Sequence, residues 1–242
     1  MTTPADNTPY AIITDAMIDS GKLKEGGTPS SSQLMQYMRR LNDMVNFEQT
    51  QGLKLWLNED VTIPLVAGQT AYTLGPGGNV NMTKPLKPLQ AYYLLTTNPA
   101  AETRRPLTLL SWNDWLILSP TNQPGAINSV FVDKQQTFLR ANMWLTPDVT
   151  AATNGEVHVL LQTQVTNVIS LTETMNFPIE WRMFLHWGLA DELATGQPEA
   201  IMTRCSQRAL MYREALEAFD VEDGPTSFAP DPRGQYSTAN FQ

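Results

Sequence analysis

The hydrophobic period of this chain changes twice, from helical to alternating and back, and that ordering constrains the fold more than any single motif. Near the start, Thr8-Pro9 pairs an N-cap hydroxyl with a proline at the first helical position. Tyr10, Ile13 and Met17 follow at helical spacing, and Gly21 is a natural stop. Leu34, Met38, Leu41 and Val45 carry a second stripe, which predicts a helix over about residues 31–51, ended by Gly52. The middle of the chain is different. "EDVTIPL", "TAYTL", "LQAYYLLTT", "RPLTLL", "SVFVDK", "TFLRANMWL" and "EVHVLLQTQV" are short, β-rich and punctuated by Pro, Gly and Asn. Ser111 is placed to cap one short helix, "WNDWLIL".

Helical period returns at Pro178, where Trp181, Leu185, Leu189 and Leu193 keep one face apolar and Phe184 and Gly188 widen it. Gly196 stops this helix and Pro198 opens another, striped by Ile201, Cys205, Ala209, Tyr212, Leu216 and Phe219. Residues 224–242 hold three prolines and no periodicity. The ordering predicts an α+β protein: an antiparallel helical bundle core with a large β-rich insertion and an extended C-terminal tail. Residues 1–56 and 169–223 supply the helices, 57–168 the insertion and 224–242 the tail. A chain that leaves a helical core and returns to it must bring Gln51 and Pro178 together.

The glycine cluster in "VAGQTAYTLGPGG" raises the question of a phosphate loop. Such loops lead into a helix whose N-terminal N–H groups hold the anion, and a P-loop ends in Lys-Ser/Thr. Here Asn79 to Lys84 and then Pro85 follow, so the cluster reads as a turn after a strand. The charge is −8, which disfavours a nonspecific grip on a nucleic-acid backbone but suits a wall past which a polyanion slides. One cysteine rules out an intrachain disulfide, and two histidines are too few for the usual zinc site. No apolar run is long enough for a membrane helix, and "MTTPADNTPY" has no leader pattern, so a protein made and kept in the cytoplasm is expected.

No residue set stands out as catalytic. The acids fall in adjacent pairs, such as Asp191-Glu192, which diverge on a helix, whereas a glycosidase needs two carboxylates facing across a cleft. His186 reads as a structural histidine beside Trp187, and His158 as a strand residue facing solvent or a neighbouring chain. Cys205 lies on an apolar stripe and reads as a buried small hydrophobe. Arg204 and Arg208, four apart on one helix, are placed to pair with acids of a neighbouring subunit or to be solvated. Trp56, Trp144 and Trp181 read as core, and Trp112 and Trp115 as contact residues. In the tail, Phe228, Tyr236 and Phe241 are widely spaced aromatic anchors on an extended segment, a pattern suited to a groove on a partner.

An ordered series of degenerate motifs resembles the head-to-tail adaptors of short-tailed bacteriophages, also called tail accessory or head completion proteins. A short helix precedes "EGGTPSSSQLMQYMRRLNDMVNFEQTQGLKLW", with Leu41-Asn42 central in the second helix and Trp56 near its end. "TIPLVAGQTAYTLGPGGNV" is similar to the family's Gly-Gln-x-x-Tyr-x-Leu-Gly stretch, and "KPLKPLQAYY", "RPLTLLSWNDWLIL" and "FPIEWRMFLHWGLADELA" follow in order. The resemblance implies a structural virion protein at the head–tail junction, assembled in the host cytoplasm, with no enzymatic activity, cofactor or metal. It implies a ring of about twelve copies beneath the portal, through which DNA passes without specific binding. Arg204 and Arg208 become inter-subunit contacts, Phe228, Tyr236 and Phe241 contacts to the portal, and the insertion the contact to a nozzle or fibre protein. The alternative is a tail module that hydrolyses or binds cell-wall glycan, with Trp112 and Trp115 stacking on sugar.

Overall fold

The computed structural model describes residues 7–51, 57–97, 103–118 and 122–219. Helix α1 (Pro9–Asp19) starts where the Ala11 N–H donates to Thr8 Oγ1 at 3.3 Å, and it buries Ile12, Ile13, Ala16 and Met17. Helix α2 (Ser31–Glu48) opens on a capping box between Ser30 and Gln33 and buries Leu34, Leu41 and Val45.

Seven strands then form one sheet: β1 (Asn58–Ile63), β2 (Ala71–Leu74), β3 (Lys87–Leu95), β4 (Thr103–Leu110), β6 (Ser129–Lys134), β7 (Leu139–Trp144) and β9 (Gly155–Gln162). The order is β1-β9-β3-β4-β6-β7-β2, antiparallel throughout except where β4 runs parallel to β6. A two-stranded ribbon joins β5 (Pro124–Gly125) to β8 (Thr146–Pro147). Two short helices accompany the strands, α3 (Trp112–Ile117) with a Ser111–Asp114 capping box, and α4 (Val149–Asn154) capped by Asp148.

The sheet curls, and chain connectivity requires it. Six gaps of about 4.8 Å make a flat sheet about 29 Å wide. Residues 64–70 join the two edge strands and, fully extended, reach only about 28 Å. That connector is not extended: Gln69 N–H donates to Val66 O, and the Tyr72 hydroxyl bonds both backbone groups of Val66. The edges are therefore drawn toward each other into a half-barrel. Its interior is one cluster fed by every strand of the sheet, including Val61, Ile63, Tyr72, Leu74, Tyr93, Leu107, Val130, Met143, Val157, Val159 and Leu161.

The chain returns through residues 163–178 to a 3₁₀ turn (Ile179–Trp181), then α5 (Arg182–Leu193) and α6 (Glu199–Phe219). Helix α5 buries Phe184, Leu185, His186, Trp187, Leu189, Ala190 and Leu193, and α1, α2 and α6 each pack on it. This corrects the expected architecture. The main body is a curled seven-stranded mixed sheet with a core of its own, and the helices do not form an antiparallel bundle core. A bundle needs α2 and α6 to close over α5, but an open groove runs between them. Helix α6 buries only Cys205 and Leu216 along its length. An apolar stripe shows that a helix has a face to cover, not which element covers it, and here α5 alone is covered on most sides.

Residues 163–178 stitch the two parts together. Asn42 of α2 and Gln49 at its C-cap hydrogen-bond to Val168 and Val165, and Leu57 O accepts from Thr163 N and Oγ1 at 2.8 and 2.9 Å. Leu57 and Val165, within the span 57–168, belong to the helical cluster.

Candidate functional site

Two sides of α6 carry the most distinctive exposed surface. At about 100° per residue, Arg204 and Arg208 fall on one side of the buried Cys205–Leu216 line, and Ser206, Leu210 and Arg213 on the other. On the first side, the Arg204 guanidinium donates to Asp19 O at the C-terminal end of α1, where the helix dipole favours a cation. Its Nη2 also lies 3.9 Å from Asp19 Oδ1. The Arg208 guanidinium sits 5.0 Å from the centroid of Trp187. Both arginines are exposed, and Met211 and Phe219 beyond them are exposed apolar side chains.

The second side faces α2 across the groove. Met44, Phe47, Phe184, Ala209 and Leu210 supply its apolar lining, and Asp43, Glu48, Asp191, Glu192 and Arg213 its charged groups. Arg213 bridges to Glu48 at 3.4 Å and to Glu217 at 3.1 Å. Among the described residues, Asp43, Asp191 and Glu192 form no ion pair. Partial burial raises both Asp191 and Glu192 from their ordinary values; for Glu192 the nearby Arg40 opposes that rise and Asp43 adds to it. Asp191 and Glu192 are thus partly desolvated without an ion-pair partner among the described residues, and Arg40 acts on Glu192 from nearby.

His186 is the structural histidine expected. It is buried, its ring lies 5.0 Å from that of Trp187, and its Nε2 lies 2.9 Å from Asp19 Oδ2, though without hydrogen-bond geometry. Burial lowers its pKa, against the pull of Asp19 and Asp15. Cys205 is fully buried. The glycine cluster closes a turn after β2: Gly77 has φ +70, and no helix follows.

One polar cluster was not legible in sequence. On the outer face of the sheet, β9 lies between β1 and β3, which sets His158 beside Thr62 and Tyr92. Tyr92 stacks on the His158 ring at 4.7 Å and donates its hydroxyl to Asp60 Oδ2 at 2.6 Å. Asp60 and Glu156 oxygens lie 3.3 and 3.2 Å from the two nitrogens of His158. His158 is therefore held by a strand network rather than turned freely to solvent. Only the alternation of Val157 and Val159 signalled its face; the partners depend on strand order.

Trp112 and Trp115 of α3 both pack on Phe131 of β6, with ring centroids at 5.0 and 5.3 Å, and Trp112, Leu116 and Ile117 stay exposed. Trp181 is buried and Trp144 half-buried, while Trp56, Phe228, Tyr236 and Phe241 lie outside the described residues. Among the described residues no helix is long and apolar enough to cross a membrane, and no group of three or more His, Cys, Asp or Glu is placed to hold a metal ion. No protein-family profile matches the chain, and no curated protein matches it.

Proposed function

We propose that this chain is a head-to-tail adaptor of a short-tailed phage virion, a structural protein that forms a ring beneath the portal and joins it to the tail. The observation that carries the reading is the state of α6. A helix running from Glu199 to Phe219 fully buries only Cys205 and Leu216, and beside its seam on α5 it presents Met202, Leu210, Met211 and Phe219 to solvent. Exposed apolar side chains gathered on one helix mark a contact surface, so such a helix is suited to receiving neighbours. The motif series read from the sequence supplies the setting.

In this reading the net charge of −8 lets DNA pass, the tail from residue 224 reaches the portal through Phe228, Tyr236 and Phe241, and the sheet meets a nozzle or fibre protein. The chain acts by contact rather than by catalysis. Co-sedimentation with the portal tests it: the full-length chain is expected to pellet with portal rings, and the chain truncated after Asp223 to lose most of that binding while keeping its melting temperature. Equal binding of both forms contradicts the role given to the tail. Absence of binding by the full-length chain contradicts the adaptor reading.

A further inference from the structure

We propose that copies of this chain associate head to tail through α6, with the Arg204–Arg208 side of one copy seated on the acidic groove between α2 and α6 of the next. The inference rests on the adaptor reading for its setting, a ring of identical copies, and on the two sides of α6 for its content. The groove lining holds four carboxylates and one guanidinium, and that guanidinium is already taken by Glu48 and Glu217. Among the described residues Asp43, Asp191 and Glu192 form no ion pair, although Arg40 acts on Glu192 from nearby, and they are left to face a cation from outside. Burial that raises the carboxyls of Asp191 and Glu192 makes an incoming guanidinium more favourable than it would be on an open surface. The opposite side of the same helix holds two exposed guanidiniums in line, one turn apart: among the described residues Arg208 over Trp187 is the one free of an ion pair, while Arg204, held by Asp19, keeps its exposed face toward a partner, with Met211 beyond them.

The two surfaces are different, and they lie on opposite sides of one helix. A self-complementary pair of equal patches is thereby disfavoured, because it would set arginine against arginine or acid against acid. A contact that joins unlike surfaces repeats from copy to copy, and it closes into a ring when the rotation per copy allows. Arg208, held over the Trp187 ring, reaches the partner with little loss of side-chain freedom.

Charge reversal tests this on the full-length chain at high concentration, by sedimentation equilibrium in low salt. Wild type is expected to self-associate weakly and to lose that association in high salt. The Arg204→Glu/Arg208→Glu chain and the Asp191→Lys/Glu192→Lys chain are each expected to associate at least tenfold more weakly. A one-to-one mixture of the two is expected to regain association, because the acidic side of the first fits the basic groove of the second and the reverse. Circular dichroism confirms that each variant is folded before its association is scored. Unchanged association in both folded variants, a mixture no better than its components, or no self-association by wild type each overturns the interlock. Portal binding by the same preparations is scored separately: wild type that binds the portal while the reversals leave association unchanged sinks the interlock and leaves the adaptor reading intact.

Discussion

Asn42 satisfies both backbone groups of Val168, donating through Nδ2 to the carbonyl at 2.9 Å and accepting from the N–H at Oδ1 at 2.8 Å. One side-chain amide thus does for Val168 what a neighbouring strand does in a sheet. It pins the irregular return segment to α2 across a sequence separation of 126 residues. Asn42→Ala removes both bonds and leaves partly buried backbone groups unpaired, at a cost of about 1–3 kcal/mol. For a chain of this size each kcal/mol lowers the melting temperature by about 2–4 °C. Asn42→Asp is expected to be no milder at neutral pH, since it sets a carboxylate oxygen against the Val168 carbonyl. Denaturant melts of the three chains check this, and an Asn42→Ala midpoint equal to wild type contradicts it.

The same stitching decides where the sheet can be cut away. Leu57 O accepts from Thr163 N at 2.8 Å, so the two ends are already in contact. Deleting 58–162 and closing the gap with a short Gly/Ser linker is expected to leave a helical remnant that melts cooperatively. Deleting 57–168 removes Leu57 and Val165 from the helical cluster and takes both Val168 from Asn42 and Val165 from Gln49. That remnant is expected to melt lower, by far-ultraviolet circular dichroism. Indistinguishable melts would show that these residues do not support the helices.

The glycine cluster is explained by close backbone approach rather than by an anion. A Cβ on Gly78 would stand 2.6 Å from Thr73 O, against rigid backbone, whereas one on Gly77 meets nothing within 4 Å. Gly78→Ala is therefore expected to cost about 1–3 kcal/mol through forced displacement. Gly77→Ala is expected to cost about 1–2 kcal/mol through its left-handed backbone alone. Thermal melts rank the two, and a Gly78→Ala chain as stable as wild type contradicts the steric account.

His186 predicts a pH dependence of definite sign. Burial is the main cause that lowers its pKa from the ordinary 6.5, so below that pH the unfolded chain takes up a proton that the folded chain refuses. The stability it contributes is present above about pH 6.5 and is lost as the pH falls through the lowered folded-state value. Asp191 and Glu192, raised by burial, act in the opposite sense at lower pH, so the comparison must be with a variant. His186→Gln is expected to lose less stability between pH 7 and the acid side than wild type does, as measured by urea midpoints. Parallel curves for the two chains contradict this.

Local chemistry made much of the fold legible. The Thr8 and Ser111 caps placed α1 and α3, the Leu34–Val45 stripe placed α2, and the β-rich runs placed the strands, with "SVFVDK" matching β6. Helix α4 was missed because "VTAATN" carries no helical stripe, its start being set by the Asp148 cap instead. The architecture was misjudged for a different reason. Stripe positions on α2, α5 and α6 do not say which helices meet, and nothing local encodes the β1-β9-β3-β4-β6-β7-β2 order that makes the sheet the main body. Asp60, Tyr92 and His158 meet only through that order, so sequence could not join them. Asp191 and Glu192 were legible as residues, but their place in a groove without an ion-pair partner among the described residues was not.

The central claim is that the chain is a ring-forming adaptor, and negative-stain microscopy of the full-length chain mixed with its portal tests it most directly. The account predicts an added ring of density on one face of the portal only, while the chain alone, whose weak association works against the repulsion between copies that each carry a charge of −8, shows no stable ring. Portal rings left bare in the presence of excess folded chain would contradict it.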